Sequence, residues 1–219
     1  IEGNPKQAFK LYKKCAIEGN NVDAMYELGR CYETGCGVHK DYAAAFRWYL
    51  TACYYNSNED ESYGDDFIFN DYSYYYQECQ MAYFHDFDNH PDLKLLKQIS
   101  ANKNLKQSQV NSFYKVGMLL YRGYGVPGRN IARAQFFLQL ACEHNHIDAL
   151  CEHAYLLFEC QYIEFCADCA KKAAKGGNPY SQLLLAYLYH EGLGVEKSIP
   201  KFELYIKEAI KMDLKEAQY

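Results

Sequence analysis

The sequence predicts an all-α fold of stacked antiparallel helix pairs. Two observations carry this reading. A glycine-hinged motif occurs three times, and an apolar helical stripe follows each copy at the same offsets. Composition agrees: the 219 residues are 49% hydrophobic and 23% charged, with only 14 Gly and 5 Pro, which is a globular balance.

The motif reads Tyr32–Val38, Tyr121–Val126 and His190–Val195. In each copy two glycines flank one residue: Gly35 and Gly37, Gly123 and Gly125, Gly192 and Gly194. Glycine reaches positive φ cheaply, so each pair closes a helix C-terminus and opens a turn. Upstream, Leu28-Gly29, Val116-Gly117 and Leu185-Ala186 hold one offset, small where two helices must approach closely. Downstream, Asp41, Asn130 and Ser198 are N-cap residues for a second helix. Four, seven, eight and eleven positions after each cap stand Ala45, Trp48, Tyr49 and Ala52, then Ala134, Phe137, Leu138 and Ala141, then Phe202, Tyr205, Ile206 and Ala209. The N-terminus repeats this as an unpaired second helix: Asn4 as cap, Pro5 at the first helical position, then Ala8, Leu11, Tyr12 and Cys15.

Gly35 lies 88 positions before Gly123, and Gly123 lies 69 before Gly192. Both gaps are near twice a unit of ~35–44 residues, so one glycine-poor repeat is expected in each. The second gap offers helices at 149–158 and 163–174, with a connection that lacks the paired glycines. The first offers 72–84 and 91–101. The resulting division is one repeat domain over 1–219. It comprises a lone second helix at 3–19, a repeat at 22–54, and a degenerate repeat at 55–104 with an acidic, Tyr-rich insertion. Repeats follow at 108–145, 146–177 (without the paired glycines) and 178–213, and a further helix starts at 214–219.

The run from Ala24 to Ala52, with Leu28-Gly29, Tyr32, Gly35, Gly37-Val38, Asp41, Ala45 and Trp48-Tyr49, resembles the Sel-1-like repeat, a relative of the tetratricopeptide repeat. Residues 112–141 and 181–209 resemble it well, and the likeness spans most of the chain outside roughly 55–107. The resemblance implies a right-handed α-solenoid whose first helices line a concave face. It implies an adaptor or scaffold rather than an enzyme. In the register of such arrays the inner positions are Tyr26, Arg30, Glu33 and Thr34, then Tyr114, Met118, Tyr121 and Arg122. Next come Cys151, Tyr155, Phe158 and Glu159, and finally Leu183, Tyr187, His190 and Glu191. Tyr and Arg are frequent anchors of protein interfaces.

Catalytic signatures are missing. There is no P-loop, no His-Glu-x-x-His and no Gly-x-Ser-x-Gly, and the Ser-x-x-Lys spacings at 100–103, 112–115 and 198–201 lack their companion motifs. No cofactor is expected. The alternative to a scaffold is a thiol- or metal-dependent protein using the Cys/His cluster at 142–169, where Cys166 and Cys169 form a C-x-x-C on a helix. Against it, both cysteines occupy stripe positions and read as core fillers, and His153 takes the place of Leu28. Ten Cys in a chain of this length fit reduced, apolar side chains in a cytoplasm-like compartment, with a secreted effector or organelle lumen as alternatives.

Residues 57–90 hold nine carboxylates and no Lys or Arg, among ten Tyr and Phe. Glu59, Asp60, Glu61, Asp65 and Asp66 form an acidic attractor that would steer a basic protein or peptide toward the aromatics. The bland reading is a solvated loop and ordinary helix packing. Residues 85–90 could hold calcium but lack EF-hand spacing. The formal charge of −5 argues against nucleic acid. The longest apolar run, 183–189, is too short to enter and cross a membrane.

Overall fold

The computed structural model describes residues 4–55 and 91–212, and among them ten helices and no strand occur. The fold class is the expected one, all-α and made of antiparallel helix pairs. The chain divides into two compact units, residues 1–134 and 135–219.

The first unit holds α1 (Pro5–Glu18), α2 (Val22–Thr34), α3 (Tyr42–Tyr54), α4 (Pro91–Ser100), α5 (Gln107–Arg122) and the first turn of α6 (Ile131–Glu143). Local chemistry sets the ends. The Asn4 side chain accepts from the Lys6 and Gln7 amides, and Asp41 from those of Ala43 and Ala44. Asn130 likewise accepts from Arg133. Each satisfies amides a helix start leaves without partners. Gly35 and Gly123 close α2 and α5 in the left-handed region, at φ 80° and 72°. The core of this unit gathers Ala16, Val22, Met25, Leu28 and Ala52 between α1, α2 and α3. Gly29 is buried because α3 leaves no room: a Cβ there would lie 2.5 Å from the Tyr49 ring.

The two glycines of a hinge do different jobs. A Cβ on Gly35 would meet only ordinary contacts, so Gly35 is needed for its backbone angle. A Cβ on Gly37 would collide with the backbone of Pro5 and Lys6, at the start of the preceding second helix. Gly125 stands in the same relation to the Tyr42–Ala43 backbone of α3, and Gly194 to Ile163. The hinge therefore seats directly on the start of the neighbouring pair's second helix.

That relation bears on the stretch where a degenerate repeat is expected, 55–104. Gly125 seats on α3, and the Gln109 side chain donates to the Ala52 and Tyr55 carbonyls at the end of α3. The α2–α3 pair and α5 are thus in direct contact. Of the two helices expected at 55–104, α4 matches the one at 91–101 and packs on α3. The helix expected at 72–84, the acidic attractor and the calcium reading at 85–90 lie outside the described residues, as does the further helix start at 214–219.

The second unit holds the remainder of α6, α7 (Ile147–Glu159), α8 (Ile163–Lys175), α9 (Pro179–Glu191) and α10 (Ile199–Lys211). Here a glycine-poor pair does exist: α7 and α8 pack together over Ala154, Leu157, Cys166, Ala167 and Ala170. Its lost hinge is replaced by a three-residue turn. Gln161 takes positive φ (65°), and the Tyr162 amide donates to the Leu157 carbonyl. The turns at Asn145 and Gly177 use the same device, with His146 bonded to Ala141 and Asn178 to Ala173.

Two further expectations change. Ser198 makes no side-chain cap bond at α10. In α1 the stripe is only partly covered: Leu11 is 57% exposed and Cys15 is exposed, because α2 reaches one side of that face.

Candidate functional site

The residues expected on an inner face belong to first helices, and in each unit they meet at a seam between two such helices. In the first unit the seam joins α2 and α5 and is polar. At its N-terminal end, Ser108 Oγ donates to Asp23 Oδ1 at 2.6 Å and Lys106 Nζ to Oδ2 at 3.1 Å. The Ser108 hydroxyl, then Lys106, holds the Asp23 carboxyl below its usual range. Tyr26, half-buried, packs at 5.6 Å on the Tyr49 ring and bonds to the Asn111 side chain, and burial raises its phenol. At the other end, Glu33 accepts from Tyr49 Oη at 2.6 Å and pairs with Lys115 Nζ at 2.9 Å. One carboxylate thus ties α2 to both α3 and α5. Arg30 is exposed and pairs with Glu27 on its own helix, while Thr34 donates back to the Arg30 carbonyl.

The rest of α5 departs from the expectation at one position. Met118 is 6% exposed and is not a lining residue. An unbranched apolar chain gains about 2 kcal/mol from burial, more than it gains half-wetted on a groove wall. Tyr114 is half-buried, Arg122 is exposed, and the Arg129 guanidinium lies 4.3 Å from the centre of the half-buried Tyr121 ring.

In the second unit the seam joins α7 and α9 and is aromatic. Tyr155 Oη donates to the Tyr180 carbonyl at 3.1 Å, and Phe158 meets Tyr187 edge-to-face at 5.9 Å. Tyr155, Tyr180 and Tyr187 remain 36%, 48% and 47% exposed. Burial of its inner edge pushes the Tyr155 phenol up to about 12, so it stays a neutral donor. His190 Nδ1 lies 2.7 Å from Glu191 Oε1 and its ring packs at 5.1 Å on Phe202 of α10. Glu159 is exposed at the C-terminal end of α7, whereas Cys151 is buried. Tyr180 was not singled out in the sequence, although it lies seven residues before Tyr187 on the same helical stripe.

The Cys/His alternative finds little support in its geometry. Among the described residues no three of His, Cys, Asp and Glu converge as a metal site. Cys166 is fully buried with Ala167 and Ala170, the core position its register implied. Burial raises the thiols of Cys142, Cys151, Cys166 and Cys169, the second and third to about 11, so they stay protonated and unreactive near neutral pH. Burial lowers His153 to about 4, and the neutral ring sits 3.8 Å from Cys142 Sγ. The nine described cysteines are free thiols.

Comparison with known proteins agrees with the helix pairs. A family model described as the Sel1 repeat matches residues 1–20, 22–54, 114–146 and 179–201. It passes over 147–178, the pair that lost its glycines. An uncharacterized Sel1-like repeat-containing protein of Schizosaccharomyces pombe is 30% identical over 105 residues, 45% of this chain and 13% of that protein. A protective antigen of uropathogenic Escherichia coli, with an SLR fold, superposes with a TM-score of 0.51 at 18% identity over 100% of this chain and 44% of its own. A Sel1 repeat protein from Oxalobacter formigenes gives a TM-score of 0.45 at 20% identity, over 97% and 81%. The chain therefore spans a minor part of the yeast relative and less than half of the antigen. From its hinges, its helix pairs and the family-model match, the chain belongs to the Sel1 repeat proteins, an α-solenoid class.

Proposed function

We propose that this chain is a protein-interaction scaffold whose working face in residues 135–219 is the α7–α9 seam. Sel1 repeats typically serve as such scaffolds and are generally non-catalytic. The finer reading rests on one observation: Tyr155, Tyr180 and Tyr187 stay partly exposed on adjoining first helices, while the Tyr155 hydroxyl is held by the Tyr180 carbonyl and the Tyr187 ring by Phe158. Ordered aromatic rings lose little freedom on binding, which is what an interface anchor requires.

The seam suits a protein or peptide segment. Tyr180 and Tyr187 are seven residues apart on one helix, about 10 Å, the span of roughly three extended residues. His190, Glu191 and Glu159 supply polar groups at one end. A basic partner fits the charge: α7 and α9 contain Asp148, Glu152, Glu159 and Glu191 but no Lys or Arg, and the sequence at 57–90 adds nine carboxylates. Those carboxylates would speed encounter more than they would tighten the complex.

The test starts with a partner captured by the intact chain and identified. Replacing Tyr155 and Tyr187 together by Ala should weaken its binding at least about tenfold with helicity unchanged. Equal affinity for wild type and double variant would remove the seam from the binding face. A basic partner should also bind more weakly as salt is raised.

A further inference from the structure

We propose that Cys31 and Cys36 form a reversible oxidation site, a thiol pair that closes to a disulfide across the α2 hinge. Nothing in the scaffold reading requires it. The argument starts from the turn. The Gly35 and Cys36 amides both donate to the Cys31 carbonyl, at 2.8 and 3.0 Å, with Gly35 left-handed. This is the arrangement that brings the fourth-last helical residue beside the second residue past the helix, where an apolar side-chain contact commonly sits.

The other two hinges fill those positions with apolar pairs. Tyr124 bonds to Leu119 and Leu193 to Leu188 through the same amide–carbonyl link, each at 3.0 Å. Only in the first hinge are both members cysteine. A 3.0 Å link from amide to carbonyl holds the two Cα atoms within about 7 Å, the outer limit for a disulfide, and any bend in that path brings them closer. The thiol of Cys31 is buried and that of Cys36 is exposed.

The unequal exposure assigns the roles. A hydroperoxide reaches Cys36 first. Its thiolate attacks the outer oxygen, the O–O bond breaks, and the alkoxide leaves with the thiol's proton as an alcohol, or as water from hydrogen peroxide. The product is a sulfenic acid on Cys36. The Cys31 sulfur then attacks the Cys36 sulfur, the S–O bond breaks, and hydroxide leaves as water with the Cys31 proton. Two thiols have lost two electrons to one peroxide, and a dithiol reductant reverses the change. The closed ring contains Glu33, the carboxylate that ties α2 to Tyr49 and Lys115. Oxidation thereby pins the last turn of α2 beneath that tie.

Cleavage after Arg30 and Lys40 releases residues 31–40, which contain these two cysteines and no other. The intact chain is treated with one equivalent of hydrogen peroxide, alkylated, digested and weighed. The expected peptide is lighter by two hydrogens, carries no alkyl group, and regains two alkylation sites after reduction. In Cys31→Ser, Cys36 should stop at the sulfenic acid and be trapped by dimedone. In Cys36→Ser, Cys31 should stay a thiol. The proposal is overturned if peptide 31–40 remains a doubly alkylated dithiol while other cysteines oxidise. It is equally overturned if dimedone traps Cys36 as fully in the wild type as in Cys31→Ser. Both variants are near-isosteric, and circular dichroism checks that each is folded.

Discussion

The α2–α5 seam and the α7–α9 seam occupy equivalent places in their helix pairs and are built from opposite chemistry. The first closes on itself. Asp23 takes up Ser108 and Lys106, and Glu33 takes up Tyr49 and Lys115. The second joins through one phenol and one ring contact and leaves three tyrosines partly in solvent. Register decides which residues come to the seam; side-chain chemistry decides whether they are consumed there. Charged groups that find partners hold helices together, whereas rings that touch only at their edges keep area for a ligand.

The largest effect should come from the glycine that lets α5 seat on α3. Gly125→Val adds a side chain at φ 71°, directly onto the Tyr42 backbone. Left-handed strain and overpacking together should cost about 3 kcal/mol or more. Urea unfolding measures it, and a loss below about 1 kcal/mol would mean that the first seam does not depend on that seating.

Acid should separate the two units. His153 is buried neutral in the second, with its value lowered from 6.5 to about 4. Between those values the unfolded chain binds a proton that the folded ring refuses. Stability is therefore intact above about pH 6.5 and falls as pH drops toward 4, by a few kcal/mol in order of magnitude. In the first unit Asp23 is held low, so its bonds are kept above the ordinary carboxylate range and lost only as pH falls below about 4. Hydrogen exchange resolved by helix should thus loosen α7 before α2 on acidification. His153→Leu should flatten the slope between pH 6.5 and 4, and an unchanged slope would reject the assignment.

Glu33→Ala comes next. It leaves the Tyr49 hydroxyl and the half-buried Lys115 without their shared acceptor, at about 2 kcal/mol. The same change should leave partner affinity within about twofold, because that carboxylate is structural.

Much of the fold was legible because its determinants are local. Asn4, Asp41 and Asn130 cap as their positions implied, and Gly35, Gly123 and Gly192 end their helices left-handed. The 88-residue gap was less legible, because spacing counts residues and cannot by itself tell a stacked pair from a detour. Gln161 hid a hinge, since a non-glycine residue gives no sign of the positive φ it adopts. The seam residues were half legible. Tyr155 and Tyr187 stay partly exposed on their helices, but Glu33 is engaged by Lys115, 82 residues away, a pairing no local pattern encodes. Met118 followed its apolar chemistry into the interior.

The smallest expected gain lies beneath the aromatic seam's own helix. Gln182 holds the register position of Met25 and Leu150, and its buried Oε1 makes no hydrogen bond. Gln182→Leu should stabilise by about 1 kcal/mol without altering binding. Destabilisation would point to a partner for that oxygen.

The contrast between the seams can be read most directly by photo-crosslinking in cells, with a benzophenone amino acid placed at Tyr187 in one variant and at Tyr26 in another. A discrete protein adduct from position 187 and none from position 26 is the predicted result. Adducts from position 26 with none from position 187 would contradict it.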